Sequence, residues 1–138
     1  MNEQQESQIL ALINENNNLT EPVTIAYTRS RKRDYLFEMD SEGSVIGCIC
    51  IKYVQWYQCE ICHLSVSKSH RGLGIGAKLI ARAITYATKN NFKISQITIR
   101  EDNIISQRVF EKFGFKHMNS FFNNKSAHRI KLYQLNLN

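Results

Sequence analysis

Apolar positions along the chain follow two rhythms, and the changes between them predict the elements. Residues 3–16 carry Ile9, Leu10, Leu12 and Ile13 among polar neighbours, a spacing that suits one amphipathic helix. Asn16-Asn17-Asn18 ends it, because Asn tolerates left-handed turns. After Pro22, runs rich in Ile, Val, Tyr and Cys predict strands over Val23–Thr28, Asp34–Met39, Val45–Val54 and Cys59–Val66. The basic run Arg29-Ser30-Arg31-Lys32-Arg33 separates the first two, and Asp40-Ser41-Glu42-Gly43 makes a hairpin turn. Helical spacing returns over Gly74–Lys89, where Leu79, Ile80, Ala83, Ile84 and Ala87 share a face. A strand over Ile94–Arg100 follows, then a helix over about Ile104–Phe113 that stops at Gly114. Phe115–Phe122 and His128–Leu137 read as an antiparallel pair.

Antiparallel strands come first, then a strand–helix–strand unit, then a helix and two strands. That order defines an α+β fold with a mixed, mostly antiparallel central sheet of about seven strands flanked by helices. No repeat or linker divides residues 1–138, so a single domain is expected.

Composition changes this picture little. Hydrophobic residues make up 43% and charged residues 22%, enough apolar material for a real core. The net charge of +6 favours a polyanionic partner, either a nucleic acid or a phosphorylated cofactor. The acidic, polar start lacks the basic residues and long apolar run of a signal peptide. Nothing approaches the roughly 20 apolar residues of a membrane span, and Lys52 interrupts the longest apolar stretch. A cytoplasmic location with no membrane partner is expected. Cys48, Cys50, Cys59 and Cys62 form a CxC and a CxxC, a spacing that invites zinc. On strands, however, residues three apart such as Cys59 and Cys62 point to opposite faces. Buried thiols in a reducing compartment are the better reading, with no metal site.

The chemistry concentrates in Leu64-Ser65-Val66-Ser67-Lys68-Ser69-His70-Arg71-Gly72-Leu73-Gly74-Ile75-Gly76-Ala77. Here a strand enters a glycine-rich loop that opens a helix. Glycines let the backbone approach an anion, and the helix N-terminus adds partial positive charge. Arg71 supplies a cation at the loop's edge. The stretch reads as a phosphate or pyrophosphate cradle. Gly72-x-Gly74-x-x-Ala77 matches a loose dinucleotide fingerprint, yet it sits behind four strands with too little chain after it for a doubly wound fold. Gly76-Ala77-Lys78-Leu79 lacks the hydroxyl with which a nucleotide triphosphatase loop holds magnesium.

Arg71-x-x-Gly74-x-Gly76 resembles instead the coenzyme A loop of the GNAT acetyltransferase superfamily, Arg/Gln-x-x-Gly-x-Gly/Ala. Leu64-x-Val66 stands upstream as in many members. Asn103-Ile104-Ile105-Ser106-Gln107-Arg108-Val109-Phe110-Glu111-Lys112-Phe113-Gly114-Phe115 is similar to the family's Asn-x-x-Ala-x-x-Leu-Tyr-Glu-Lys-x-Gly-Phe segment. The resemblance covers residues 60–116. It implies a GNAT-like fold and transfer of acetyl from acetyl-CoA to a primary amine of a small molecule or protein, by direct attack in a ternary complex.

By the same resemblance, Leu64 and Val66 lie on a strand that splays from Ile94–Arg100 and meet the pantetheine arm and acetyl carbonyl. Arg71, Gly72, Leu73, Gly74, Ile75, Gly76 and Ala77 wrap the pyrophosphate, and Asn103 starts a helix beside the pantetheine. Phe110 packs against the coenzyme but replaces the Tyr that commonly returns a proton to the leaving thiolate, and Phe cannot donate one. Its presence leaves open an alternative, a non-catalytic acyl-CoA-binding module. Glu60 reads either as the catalytic base or as a strand-end surface carboxylate. Strict alternation turns His63 away from the side that Glu60 shares with Leu64, so His63 reads as a packed structural residue. The run Arg29–Arg33 reads as a solvated loop without interleaved aromatics, so nucleic acid is not expected as a partner. Tyr53, Trp56 and Tyr57 read as sheet-end packing or as an acceptor wall. Many relatives open with a strand and two helices where this chain has one helix. The acceptor side is therefore reduced or completed by a second copy, and a homodimer is an expectation.

Overall fold

The computed structural model describes residues 1–17, 22–24 and 33–137. The chain runs α1 (Glu3–Asn16), β1 (Arg33–Met39), β2 (Val45–Gln55), β3 (Gln58–Val66), α2 (Ile75–Lys89), β4 (Ile94–Arg100), α3 (Ile104–Lys112), β5 (Lys116–Asn123) and β6 (His128–Asn136). A short 3-10 turn, Lys68–His70, joins β3 to α2. Six strands form one sheet in the order β1-β2-β3-β4-β6-β5. Every neighbouring pair is antiparallel except β3 and β4, which are parallel. The α+β architecture is the expected one, with six strands among the described residues where about seven were expected. The further strand expected over Val23–Thr28 lies outside the described residues from residue 25 onward, as do residues 29–32 of the basic run.

Each helix forms for a legible reason. α1 opens on a reciprocal cap, Asn2 Oδ1 accepting from the Gln5 amide at 2.8 Å and Gln5 Oε1 from the Asn2 amide at 3.0 Å. Its buried stripe of Ile9, Leu12 and Ile13 packs on Val45 and Cys48. α2 buries Leu79, Ile80, Ala83 and Ala87 on the opposite face of the sheet, against Ile49, Ile51 and Ile61. Period-two alternation along β2 makes both packings compatible, sending Cys48 to α1 and its neighbour Ile49 to α2. α3 lies on the α2 side, where Phe110 joins Phe115, Ile97, Ile99 and Tyr133 in the same core.

Gly47 sets how close α2 comes. A Cβ there would stand 2.8 Å from Ile75 Cγ2 and 3.1 Å from Leu79 Cδ1, so the first turn of α2 rests on bare β2 backbone. On the outer side, Glu38 holds Lys78 at 2.6 Å and Arg82 at 2.9 Å, pinning α2 over β1. All four cysteines are free thiols. Cys50 stands directly opposite Cys62, and Cys59 faces the α2 core.

Candidate active site

β3 and β4 pair at three positions, Gln58 with Ile94, Cys59 with Ser95, and Glu60 with Gln96. Beyond Glu60 the two strands part, and the edge of β3 that faced β4 has no ladder partner among the described residues. Leu64 and Val66 lie on this divergent stretch, half-buried. Unpaired strand amides and carbonyls are ready partners for an extended ligand.

The irregularity of β3 has a local cause. His63 adopts φ 54°, and the register passes from Cys50–Cys62 to Cys48–Ser65. His63 and Leu64 together therefore oppose Ile49 alone, a bulge that bends the strand. The expectation from strict alternation is corrected here: the extra residue puts Leu64 into the α2 core, while Glu60 opposes Lys52 and shares a face with Cys50 and Cys62. Glu60 and Leu64 lie on opposite faces. The His63 carbonyl accepts from Ser65 Oγ at 3.2 Å, which ties the bulge in place. Burial, then the nearby Arg33 cation, lowers the His63 pKa to about 4, so its ring is neutral at physiological pH.

Glu60 sits at the last paired position, where the cleft begins. Gln96 Nε2 donates to Glu60 Oε1 at 2.9 Å, while Gln96 Oε1 accepts from Gln58 Nε2 and, at 3.5 Å, from Gln134 Nε2. This amide relay across three strands orients the carboxylate. Nothing in the one-dimensional pattern announced it, because Gln58, Gln96 and Gln134 become neighbours through sheet register alone.

The loop after β3 turns back onto β2, the Ser67 amide donating to the Ile46 carbonyl at 2.8 Å. Gly72 and Gly74 both adopt left-handed geometry, φ 79° and 81°, and a Cβ on either would meet nothing within 4 Å. The space over them is open. Gly74 is the N-cap of α2 and offers no side-chain acceptor, so the first-turn amides have no partner within the helix or from its cap. Leu73 is 70% exposed beside them. Arg71 does not reach over the loop: its Nη2 donates to Asn16 Oδ1 and its Nε to the Val66 carbonyl at 3.4 Å. It braces the end of α1 against the end of β3 and leaves its charge at the rim. These features fit a pyrophosphate, since open space, free amides and a cation converge.

Asn103 caps α3, its Oδ1 accepting from the Ser106 amide at 3.2 Å, and it is exposed. Phe110 stands differently from the expectation that it packs against the coenzyme. It is 1% exposed and meets Phe115 edge-on at 5.3 Å between centroids, so it belongs to the core. Tyr133 supplies a phenol under the same helix, but that group is also buried and donates to Glu111 Oε1 at 3.1 Å. Burial first, then Glu111, raises its pKa and keeps the proton on it. Trp56, 82% exposed, and Tyr57 pack together at the turn before β3, the closed end of the β3–β4 pair. Tyr53 instead packs on Phe92 in the core and donates to Asp34 at 3.1 Å. Among the described residues no group of three or more His, Cys, Asp or Glu is placed to hold a metal ion, and no helix is long and apolar enough to cross a membrane.

Solved structures share this fold. One is the ribosomal-protein-S18-alanine N-acetyltransferase from Escherichia coli, with a TM-score of 0.83 and 11% identity, covering 99% of this chain and 90% of that one. Another is a chain of the NatC complex bound to Gag peptide and CoA, with a TM-score of 0.84 and 23% identity, covering 99% and 93%. At such identities the likeness shows the fold. Membership comes from the sequence: the profile of the Acetyltransferase (GNAT) family matches residues 4–115, and the chain belongs to that family. An uncharacterized N-acetyltransferase from Archaeoglobus fulgidus is 28% identical over 88 residues, a match that spans 59% of this chain and 59% of that relative's length.

Proposed function

We propose that this chain is an acetyl-CoA-dependent N-acetyltransferase, working as a single GNAT-like domain over residues 1–138. The carrying observation is the parting of β3 and β4 beyond Glu60 and Gln96, leading straight into the open glycine cradle of α2. Arg71 to Ala77 hold the pyrophosphate through backbone amides and the helix N-terminus. The free edge of β3 around Leu64 and Val66 holds the pantetheine arm, and an amide there polarises the acetyl carbonyl. Asn103 borders the pantetheine at the start of α3.

When bound, acetyl-CoA supplies a thioester activated toward acyl transfer. The amine nitrogen of the acceptor attacks the acetyl carbon, a C–N bond forms, and the C–S bond breaks. Glu60, held by Gln96, takes the proton that the incoming ammonium must lose. The second N–H proton, shed as the amide forms, passes through water to the departing thiolate, since Phe110 has none to give and the thiolate, a weak base, tolerates the missing acid. The acceptor class is a primary amine, on a small molecule or on a protein. An enzyme named for a ribosomal protein and a complex with a peptide share this fold and support a polypeptide acceptor, while a spermidine/spermine N-acetyltransferase from Vibrio cholerae with the same fold supports a small one. Four free thiols suit the reducing cytoplasm.

The buried Phe110 favours one second reading, a module that binds acyl-CoA without transferring it. Two measurements separate these. Calorimetric titration with acetyl-CoA should show one saturable site in the wild type. Gly74→Glu, which places a carboxylate at the cradle on a left-handed backbone, should weaken binding at least a hundredfold, about 3 kcal/mol. Release of free thiol on adding primary amines then marks the enzyme. Binding with no thiol above background across acceptor classes marks the module, and no binding at all removes both.

A further inference from the structure

Cys50 on β2 and Cys62 on β3 stand directly opposite each other in the antiparallel ladder, beside the His63 bulge. Residues so opposed carry Cβ atoms about 4.5–5.5 Å apart, and a disulfide needs about 3.5–4.5 Å. A closure of about 1 Å therefore bridges them. No other two of the four thiols are placed this way. Cys48 and Cys50 are same-face neighbours on one strand, about 6.6 Å apart, which a disulfide cannot span. Cys48 itself opposes Ser65. Cys59 opposes Tyr53 and lies in the α2 core, on the other face of the sheet.

Access and charge single out the same pair. Cys48, Cys50 and Cys59 are fully buried, and Cys62 alone reaches the surface in part. Burial pushes the Cys48 thiol up to about 12 and raises Cys59, which keeps both protonated and inert. Cys50 goes the other way: a hydrogen bond from Cys62, then contacts with Tyr35 and the Arg33 cation, lower its thiol against the opposing effect of burial. A thiolate stabilised beside a second thiol is the arrangement from which disulfides form.

We propose that Cys50 and Cys62 form a redox-reactive dithiol, which a hydroperoxide closes to a reversible disulfide that latches β2 to β3. The Cys50 thiolate takes the proton of Cys62 and leaves the negative charge on the accessible sulfur. Cys62 attacks the peroxide, an S–O bond forms, the O–O bond breaks, and hydroxide departs. Cys50 then attacks the sulfenic sulfur of Cys62, an S–S bond forms, and the S–OH oxygen leaves with the Cys50 proton as water. The two sulfurs lose two electrons and the peroxide gains them. The partial exposure of Cys62 favours so small an oxidant. Glu60 lies on the same face two residues before Cys62, so the latch closes beside the carboxylate at which β3 leaves β4. Reduced thiols are the resting state in a reducing compartment, and a transient disulfide is the form such a pair takes there. This inference is independent of the acetyltransferase reading, because its readout is covalent.

The test treats the reduced, folded protein with hydrogen peroxide, alkylates the remaining thiols after denaturation, and maps the peptides. Two of the four thiols should be lost together, joined as Cys50–Cys62, at least ~10-fold faster than Cys48 or Cys59 is lost. Dithiothreitol should restore all four. Cys62→Ser should abolish the fast loss, while Cys59→Ser should leave it within twofold of the wild type. The peptide map of the wild type needs no variant to fold. In urea-unfolded protein the same treatment should scatter the pairings, which marks the site as a property of the fold. Loss of all four thiols at one rate, a bond between any other two cysteines, or a sulfinic acid at Cys62 with no disulfide would each overturn the proposal.

Discussion

Two strand–helix units lie side by side in this molecule and are built to opposite specifications. β4 is regular, with Ser95, Ile97 and Ile99 buried on one face, and a short turn leads to α3. That helix is closed at once by Asn103, whose side chain takes up the Ser106 amide. β3 begins in register with β4 but carries a left-handed residue at His63 and leaves the ladder after Glu60. It continues through a 3-10 turn and two left-handed glycines into α2, which has no side-chain cap. α1 is also capped by its own residues. Thus, among the described residues, two of the three helices satisfy first-turn amides internally, and the third leaves them facing open space.

The difference separates stability from binding. A side-chain cap is worth about 1 kcal/mol, and left-handed backbone at a non-glycine residue costs about as much or more. The β4–α3 unit collects the first and avoids the second. The β3–α2 unit forgoes the cap and carries the strain at His63, and in exchange presents unpaired strand edge and helix amides along one continuous path. On the function proposed above, the coenzyme is the occupant of that path.

Several substitutions sharpen or break the contrast. The largest effect is expected at the bulge. The His63 pKa falls from 6.5 to about 4 in the folded protein, so the unfolded chain binds a proton that the fold refuses. That contribution to stability is complete above pH 6.5 and is lost as pH falls toward 4, by up to about 3 kcal/mol. His63→Asn keeps a residue tolerant of positive φ and should flatten this acid limb, read by urea unfolding at a series of pH values. An unchanged limb would assign the acid sensitivity to other groups.

Next comes the seat of α2. Gly47→Ala forces a Cβ against Ile75 and Leu79 and should cost about 2 kcal/mol. Because Ile75 is the first residue of α2, acetyl-CoA affinity should fall with stability; a loss of stability with affinity intact would uncouple the cradle from its support. Smallest is the closed unit. Asn103→Ala should lose about 1 kcal/mol in urea unfolding, and Asn103→Asp should restore it. If the KM for acetyl-CoA rises in both variants, Asn103 touches the coenzyme as well as capping the helix.

Much of this was readable along the chain, and the limits are instructive. α1 runs over the residues the apolar spacing implied, and α2 begins one residue after Gly74. Local periodicity sufficed because each helix buries one stripe. The cradle was legible too, since left-handed backbone and close approach are demands that glycine meets locally. His63 was not: a bulge arises from mismatch between two paired strands, and a single strand read alone keeps strict alternation. A lone glycine inside an apolar strand, Gly47, did carry a readable signal of close approach. The Gln96 contact to Glu60 carried none.

The amino-acid sequence by itself determined the order of elements, the family and the place of the glycine loop, because each rests on neighbours in the chain. Tertiary structure alone decided which side of the sheet Glu60 faces, that Phe110 lies in the core, that Arg71 braces α1, and at which pair β3 parts from β4. These depend on cross-strand register and on which helix covers which face. Both are set when distant segments compete for the same buried surface, and no local pattern encodes the outcome of that competition.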